Sequence, residues 1–281
     1  MSVKKIKQAL SIAFLLIPIF VWSMSSAVAS DVHPKHLRFG VLPLQSPTKL
    51  ASMFLPLAGY LTDQLGKPVQ FVTSPNFSTF MARVEKGEYD LIYLNPMLYR
   101  RSRTYGYRAI VSVAGEPFTG ILVVRKDGRI KSLANDLLPK DVRIGFPDPD
   151  AFAATVMTKQ YLETLGIEAD KRMQVQYFGS QDSALLALYS GLVDIIGTWR
   201  PSLRSMPKDI QDKLTIIAET PPQPQMPIAV INTMPDSERE LLRSALAELH
   251  HHKDGERILR RMGFKQGFAK INDRAYMDVT E

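Results

Sequence analysis

Apolar residues follow two alternating rhythms along this chain. Short runs at Leu37 to Leu42, Val69 to Thr73, Leu91 to Leu94, Ile110 to Ala114 and Ile121 to Val124 read as buried strands. Between them, Leu50 to Leu65 and Phe77 to Glu85 carry apolar positions three and four apart and read as helices, and Asn95-Pro96 opens a third helix with Met97, Leu98 and Tyr99. The second half repeats the plan. Val142 to Phe146 is a strand, Pro147 to Asp150 a loop, Ala151 to Leu165 a helix stopped by Gly166, and Met173 to Phe178 a strand. From Gly179 to Trp199, Ser180 caps a helix whose Ala184, Leu185, Leu188 and Tyr189 share a face, Gly191 closes it, and a buried strand follows from Asp194 to Gly197. Leu214 to Ala218 and Met226 to Ile231 are later strands, and helices from Ser237 and Gly255 end the pattern. Such alternation implies an α/β fold with parallel strands and helical crossovers.

The halves also echo each other. Gly87-Glu88-Tyr89-Asp90-Leu91-Ile92-Tyr93 matches Gly191-Leu192-Val193-Asp194-Ile195-Ile196-Gly197; Arg38-Phe39-Gly40 recurs as Arg143-Ile144-Gly145, and Tyr60-Leu61 as Tyr161-Leu162. Three matches in one order, at an offset of about 100 residues, argue for two similarly built lobes facing a cleft. Chance recurrence of common strand–helix phrases is the competing account. The stiff Thr220-Pro221-Pro222-Gln223-Pro224 segment reads as a connection between lobes. The expected division is a leader over 1–29, the first part of lobe one over 30–123, lobe two over 124–221, and a return to lobe one over 222–281.

Lys4, Lys5 and Lys7, then an apolar stretch from Ala9 to Trp22, then Ala27-Val28-Ala29, make the first 29 residues an export signal cleaved before Ser30. An uncleaved anchor is the alternative. Without those three lysines the net charge of +7 falls to +4, too small and dispersed for nucleic acid. The sequence holds no cysteine, so there is no disulfide and no thiol for a lipid anchor. The expected location is the periplasm, and the expected state a monomer.

The Gly-Val-Leu-Pro strand at Gly40, the Leu-Gly-Lys-Pro-Val helix end at Leu65, the Gly-x-x-Asp strand followed by Asn95-Pro96-x-x-Tyr99, the Asp148-Pro149 loop and Gly179-Ser180-Gln181-Asp182 are similar to the phosphonate/phosphite/phosphate ABC-transporter periplasmic binding proteins. That resemblance implies a type II periplasmic-binding-protein fold: two α/β lobes, hinge crossings and a ligand in the cleft. It also implies an anion grip of Ser and Thr hydroxyls after the Asp-Pro pair. Here those positions read Ala151-Phe152-Ala153-Ala154, which keeps the helix N-terminus but removes the hydroxyl donors. Gln181 stands where the family tends to have His, and Trp199-Arg200 where aminophosphonate binders carry a carboxylate.

Ligands of open α/β sheets sit beyond the carboxyl ends of the strands. Those positions carry Gln45, Ser46, Thr73 to Asn76, Tyr93, Asn95, Tyr99, Asp150, Ala151, Phe152, Ala153, Gln181, Asp182, Thr198, Trp199 and Arg200. Aromatic rings, amides and one Arg suit a small anion with an apolar portion. The alternative is that Tyr93 and Trp199 pack the lobe interface and Arg200 is solvated. The Arg100-Arg101-Ser102-Arg103 run reads as a solvated face, and His250-His251-His252 as residues capping helix carbonyls rather than metal ligands. No nucleophile–base set or phosphate loop stands out, so no catalytic residue, metal or cofactor is expected. Three functions stay open: a solute-binding component serving a membrane permease, a sensor presenting its bound form to a sensor kinase, and an enzyme on the same fold. Mass analysis of exported protein should find Ser30 as the first residue; retention of residues 1–29 would mark the leader as an anchor.

Overall fold

Among the described residues of the computed structural model, 36–279 apart from 135 and 272, the strands sort into two sheets. The leader, the Ala29-Ser30 junction and His33 lie outside these residues. In the first sheet the chain runs β1 (Leu37–Val41), α1 (Pro47–Leu65), β2 (Val69–Val72), α2 (Phe77–Glu85), β3 (Leu91–Tyr93), α3 (Pro96–Ser102) and β4 (Tyr107–Val113). It then supplies the second sheet with β5 (Ile121–Arg125), β6 (Arg143–Phe146), a π-helical turn (Phe152–Met157) running into α4 (Thr158–Thr164), α5 (Ala169–Arg172) and β7 (Gln174–Tyr177). After these come α6 (Gln181–Tyr189), β8 (Ile195–Thr198), α7 (Arg200–Arg204), α8 (Lys208–Gln211) and β9 (Leu214–Glu219). The return consists of β10 (Pro227–Ile231), α9 (Asp236–Ala247), α10 (Gly255–Met262) and β11 (Phe268–Lys270).

The strand orders are β11-β4-β10-β3-β1-β2 and β7-β6-β8-β5-β9. Strands joined by helical crossovers run the same way, as the alternating pattern implies. The exceptions are β5 and β10, which arrive from the other lobe without a crossover and insert antiparallel beside β8 and β3. Each lobe is thus completed by a strand entering from its partner. All of β5 pairs within the second sheet, so the chain leaves the first sheet before Ile121 rather than at 123. The crossings 114–120 and 220–226 lie side by side: Gly120 N donates to Thr220 Oγ1 and Thr220 N to Gly120 O, both at 2.9 Å, and Gln223 N donates to Phe118 O at 2.9 Å.

The echoed phrases do the same physical work twice. In the first lobe Arg38 N donates to Asp90 Oδ2 (2.7 Å) and Asp90 N to Arg38 O (2.9 Å). In the second, Arg143 N donates to Asp194 Oδ2 (3.0 Å) and Asp194 N to Arg143 O (2.9 Å). This reciprocal clamp sets the register between β1 and β3 in the first lobe and between β6 and β8 in the second. Two residues on, Gly40 and Gly145 leave room for the rings of Tyr89 and Phe178, which a Cβ would meet at 2.6 and 2.8 Å. Ser180 Oγ accepts from Ser183 N at 3.2 Å, and Gly191 follows the helix at φ 79°. The Arg100–Arg103 run is more than a solvated face: Arg100 donates to Val279 O (2.7 Å) and Arg103 to Asp273 (2.8 Å), tying down the C-terminal segment. Among the described residues no group of His, Cys, Asp and Glu is placed to hold a metal, and no helix is long and apolar enough to cross a membrane.

Burial alone would raise the Asp194 carboxyl, but hydrogen bonds from Arg129 and Arg143 outweigh it and hold the group well below the usual carboxylate range. A depressed folded value stabilises the fold above the ordinary pKa of about 3.9, and the gain is lost as pH falls through the folded value. Asp194→Asn should therefore lower Tm at neutral pH by roughly 4–12 °C, from about 2–3 kcal/mol for hydrogen bonds to a charged acceptor and about 2–4 °C per kcal/mol. The gap should narrow below about pH 4. Equal melting temperatures at pH 7 would show that the clamp contributes no net stability.

A candidate ligand cleft between the lobes

The segments that follow β1, β3, β6, β7 and β8 meet where the two lobes face each other. Gln181 N donates to Leu44 O at 3.2 Å, and Asn95 Nδ2 to Asp150 O at 2.9 Å. Asn95 Oδ1 also caps α3 by accepting from Leu98 N at 2.8 Å, so one side chain fixes both a helix start and a cross-lobe contact. Lys49, in the first turn of α1, donates to Asp182 Oδ1 at 3.1 Å and to Ser205 Oγ at 2.8 Å. Gln45 Nε2 reaches the same Ser205 Oγ at 3.4 Å. The lobes are therefore latched together at several points by neutral and charged hydrogen bonds.

At the centre of the cleft, the chain's own rings fill the space. Phe152 is 1 % exposed and stacks on Phe118 with centroids 6.0 Å apart and planes at 19°; Phe118 meets Trp199 edge-on at 5.7 Å. The gap left among Leu44, Asn95, Phe118, Phe152, Gln181 and Trp199 is about 10 Å³. That is room for at most one water.

The backbone holds Phe152 there. The helix expected from Ala151 starts instead as the π-helical turn, with Thr155 N and Val156 N both donating to Ala151 O at 2.7 and 3.4 Å. Thr155 Oγ1 donates to Asp148 O (2.7 Å), and Thr158 Oγ1 to Ala154 O (2.5 Å). The carbonyls of Ala153 and Ala154 lie directly over Gly120 and Gly197, where any Cβ would overlap them. Ala151, Ala153 and Ala154 are buried in this packing and expose almost nothing to a ligand.

The other candidate residues divide by position. Tyr93 is buried against Phe54 (5.1 Å) and Phe264 (5.9 Å), with its phenol pushed far above the usual value by burial and then by Tyr276. Thr198 Oγ1 donates to Gln181 Oε1 at 2.6 Å inside the second lobe, and Trp199 Nε1 to Ser202 Oγ at 2.5 Å. Asp182 is engaged by Lys49, and the Asp150 carboxylate by Arg101 at 3.2 Å. Arg200 is paired with Glu219, whose carboxyl is held below its ordinary value by that guanidinium and by Thr119. Ser46 is exposed and caps nothing with its side chain. Tyr99 turns away from the cleft altogether: it is fully buried, accepts from Ala109 N at 2.8 Å and packs edge-on against Tyr276.

Sequence reasoning missed Phe118, Lys49 and Ser205. Phe118 sits in Glu116-Pro117-Phe118-Thr119-Gly120, a crossing segment without periodicity, and Lys49 looks like any exposed residue of a first helical turn. Beyond Trp199 the cleft opens outward into a cavity of about 390 Å³, walled by Phe54, Tyr93, Trp199 and Phe264 with Lys49 and Arg204 beside them.

Known proteins share this fold. The family model described as ABC transporter, phosphonate, periplasmic substrate-binding protein matches residues 39–276. A curated relative, the probable ABC transporter phosphite binding protein PhnD1 of Prochlorococcus marinus (strain MIT 9301), is 24% identical over 196 residues, covering 66% of this chain and 65% of the relative. The match thus spans just under two thirds of that relative's length. The structure of PhnD1 from the same organism in complex with methylphosphonate superposes with a TM-score of 0.76 at 18% identity, covering 88% of this chain and 96% of that one. A binding protein component of a Pseudomonas aeruginosa ABC phosphonate transporter gives 0.75 at 18% identity, covering 86% and 83%. The two lobes have the type II periplasmic-binding-protein fold. Matched from residue 39 to residue 276, this chain belongs to the periplasmic substrate-binding proteins of phosphonate-type ABC transporters.

Proposed function

We propose that this protein is exported to the periplasm, binds a small anionic ligand by closing its lobes as a monomer, and delivers it to an inner-membrane permease. The single observation that carries the ligand half of this reading is Phe152, packed at the strand-end position behind Phe118 and Trp199. A simple phosphonate, phosphite or phosphate would need that volume and the hydroxyl donors that Ala151, Phe152 and Ala153 lack. The lobes would move about the paired crossings at 114–120 and 220–226, with Lys49, Asp182 and Ser205 as the latch of the closed form. Gln45, Tyr93 and Trp199 are the proposed contacts from the original set; Gln181, Thr198 and Asn95 hold the lobes in position behind them. Presentation of the closed form to a sensor kinase is the alternative partner reading. A permease and ATPase encoded beside this chain would favour transport, and a kinase would favour sensing.

Calorimetry tests the ligand reading. Loss of two or three charge-assisted bonds should weaken methylphosphonate, phosphite and phosphate by about 3–6 kcal/mol relative to a hydroxyl-bearing site. Submicromolar binding of any of them would overturn it. The combined change Ala151→Ser, Phe152→Thr and Ala153→Ser should raise their affinity, while removing a buried ring costs about 3–5 kcal/mol of stability. Lobe closure has its own test in small-angle scattering. Ligand-free Lys49→Ala should show a larger radius of gyration than the wild type, and the compound that copurifies with the wild type, identified by mass spectrometry, should restore the compact value. Identical radii in all of these states would remove the closure mechanism.

A further inference from the structure

We infer that the ligand chamber of this chain lies outside Trp199, at the mouth of the cleft, and takes an organic anion that carries an aromatic or bulky alkyl body. This rests on the solute-binding reading above and names the ligand class for it. With the inner position reduced to about 10 Å³, the 390 Å³ space between the start of α1, the Trp199–Ser205 segment and the turn after α10 is the part of the cleft with room for an organic molecule. Pockets for such ligands run from about 300 to 1,000 Å³.

Its walls come from both lobes, so an occupant bridges them. Phe54, Tyr93 and Phe264 of the first lobe face Trp199 and Pro201 of the second. These rings and the stem of Met53 offer an apolar surface that a bare oxyanion cannot use. Around them stand Lys49, Arg204, Arg260, Arg261 and Lys265, and among the described residues no acidic one lines the space. Lys49, Arg204 and Arg260 have carboxylate partners in Asp182, Glu116 and Glu256, which sit outside the lining. Arg261 and Lys265, both exposed, add charge at the rim.

Gln45 closes the inner side of the chamber. It is 6 % exposed and lines the cavity. Ser205 gives its proton to Ser202 O at 2.7 Å, so its oxygen accepts, and Gln45 presents Nε2 to it at 3.4 Å. Its Oε1 is buried in the protein, away from an occupant. Methylphosphonate and phosphite bring no apolar body of the right size.

The test is calorimetry on the exported protein with three probes: methylphosphonate, phenyl phosphate and 4-hydroxyphenyl phosphate. Both aryl phosphates should bind at least about tenfold more tightly than methylphosphonate. The double change Arg261→Glu and Lys265→Glu, at exposed positions, should weaken both aryl phosphates about tenfold while leaving Tm and circular dichroism unchanged. Aryl phosphates no tighter than methylphosphonate, or an affinity indifferent to the rim charge reversal, would overturn the inference. The two levels of failure are separable. Tight methylphosphonate binding would sink this chamber and leave the solute-binding reading standing, whereas native mass spectrometry showing no copurified ligand, together with no binding of any probe, would sink both.

Discussion

The contact on which the cleft depends is the stack of Phe118 on Phe152, closed at its edge by Trp199. The three rings come from three segments: a crossing between lobes, the turn after β6 and the end of β8. Burying a large aromatic side chain is worth about 1.5–3 kcal/mol, and a well-placed aromatic pair adds about 0.5–1.5 kcal/mol. Such packing is stable only if each backbone is held still. Gly120 and Gly197 do this by letting the carbonyls of Ala153 and Ala154 approach where a Cβ could not fit. The crossing segment at 114–120 is thereby seated on the second lobe, and the strand ends that the fold offers to ligands are covered from within. A tetrahedral anion and the Phe152 ring cannot share that position.

The lobes themselves follow one plan because one local solution is used twice. The reciprocal bonds between Arg38 and Asp90 join β1 to β3, and those between Arg143 and Asp194 join β6 to β8. The paired Gly-x-x-Asp phrases therefore report a shared register rather than a shared ligand. The second clamp is heavier, since Asp194 also receives Arg129 and the Arg143 guanidinium. Exchange of β5 and β10 then makes each sheet incomplete without chain from the other side. Under the proposed closure, lobes built this way would move as bodies about two adjacent crossings, because opening within a lobe would break a sheet.

Much of this was legible in the sequence where the cause is local. The bounds of α2, the Ser180 cap and the repeated Arg–Asp phrases depend on residues close in the chain or on simple apolar periodicity, and they can be read directly. The antiparallel insertion of β5 and β10 could not be read that way, because a strand's direction depends on where the chain enters and not on its residues. The same holds for Tyr99. Its spacing after Asn95-Pro96 suggests a cleft residue, yet one helical turn rotates it towards Tyr276 and Ala109. The replacement of hydroxyl donors by Ala151-Phe152-Ala153 was visible, but its consequence was not. Whether Phe152 lines a pocket or fills it is decided by Phe118, from a segment without pattern, and by the π-helical turn that sets the ring's direction.

Under the proposed reading, that consequence would change what kind of recognition this member of the family can perform. A grip made of helix-terminal amides and hydroxyls is preorganised and small, and it selects an anion by matching its oxygens with fixed donors. Cations on the stems of Lys49, Arg204, Arg261 and Lys265 are longer and mobile, so they attract charge without dictating its geometry. Under the proposed reading, discrimination would then come from parts that are rigid, the walls of Phe54, Tyr93, Trp199 and Phe264. Shape against aromatic walls separates ligands weakly, by about 1–3 kcal/mol per methylene. Such a site would admit a range of apolar anions, while its charges would set how fast they arrive.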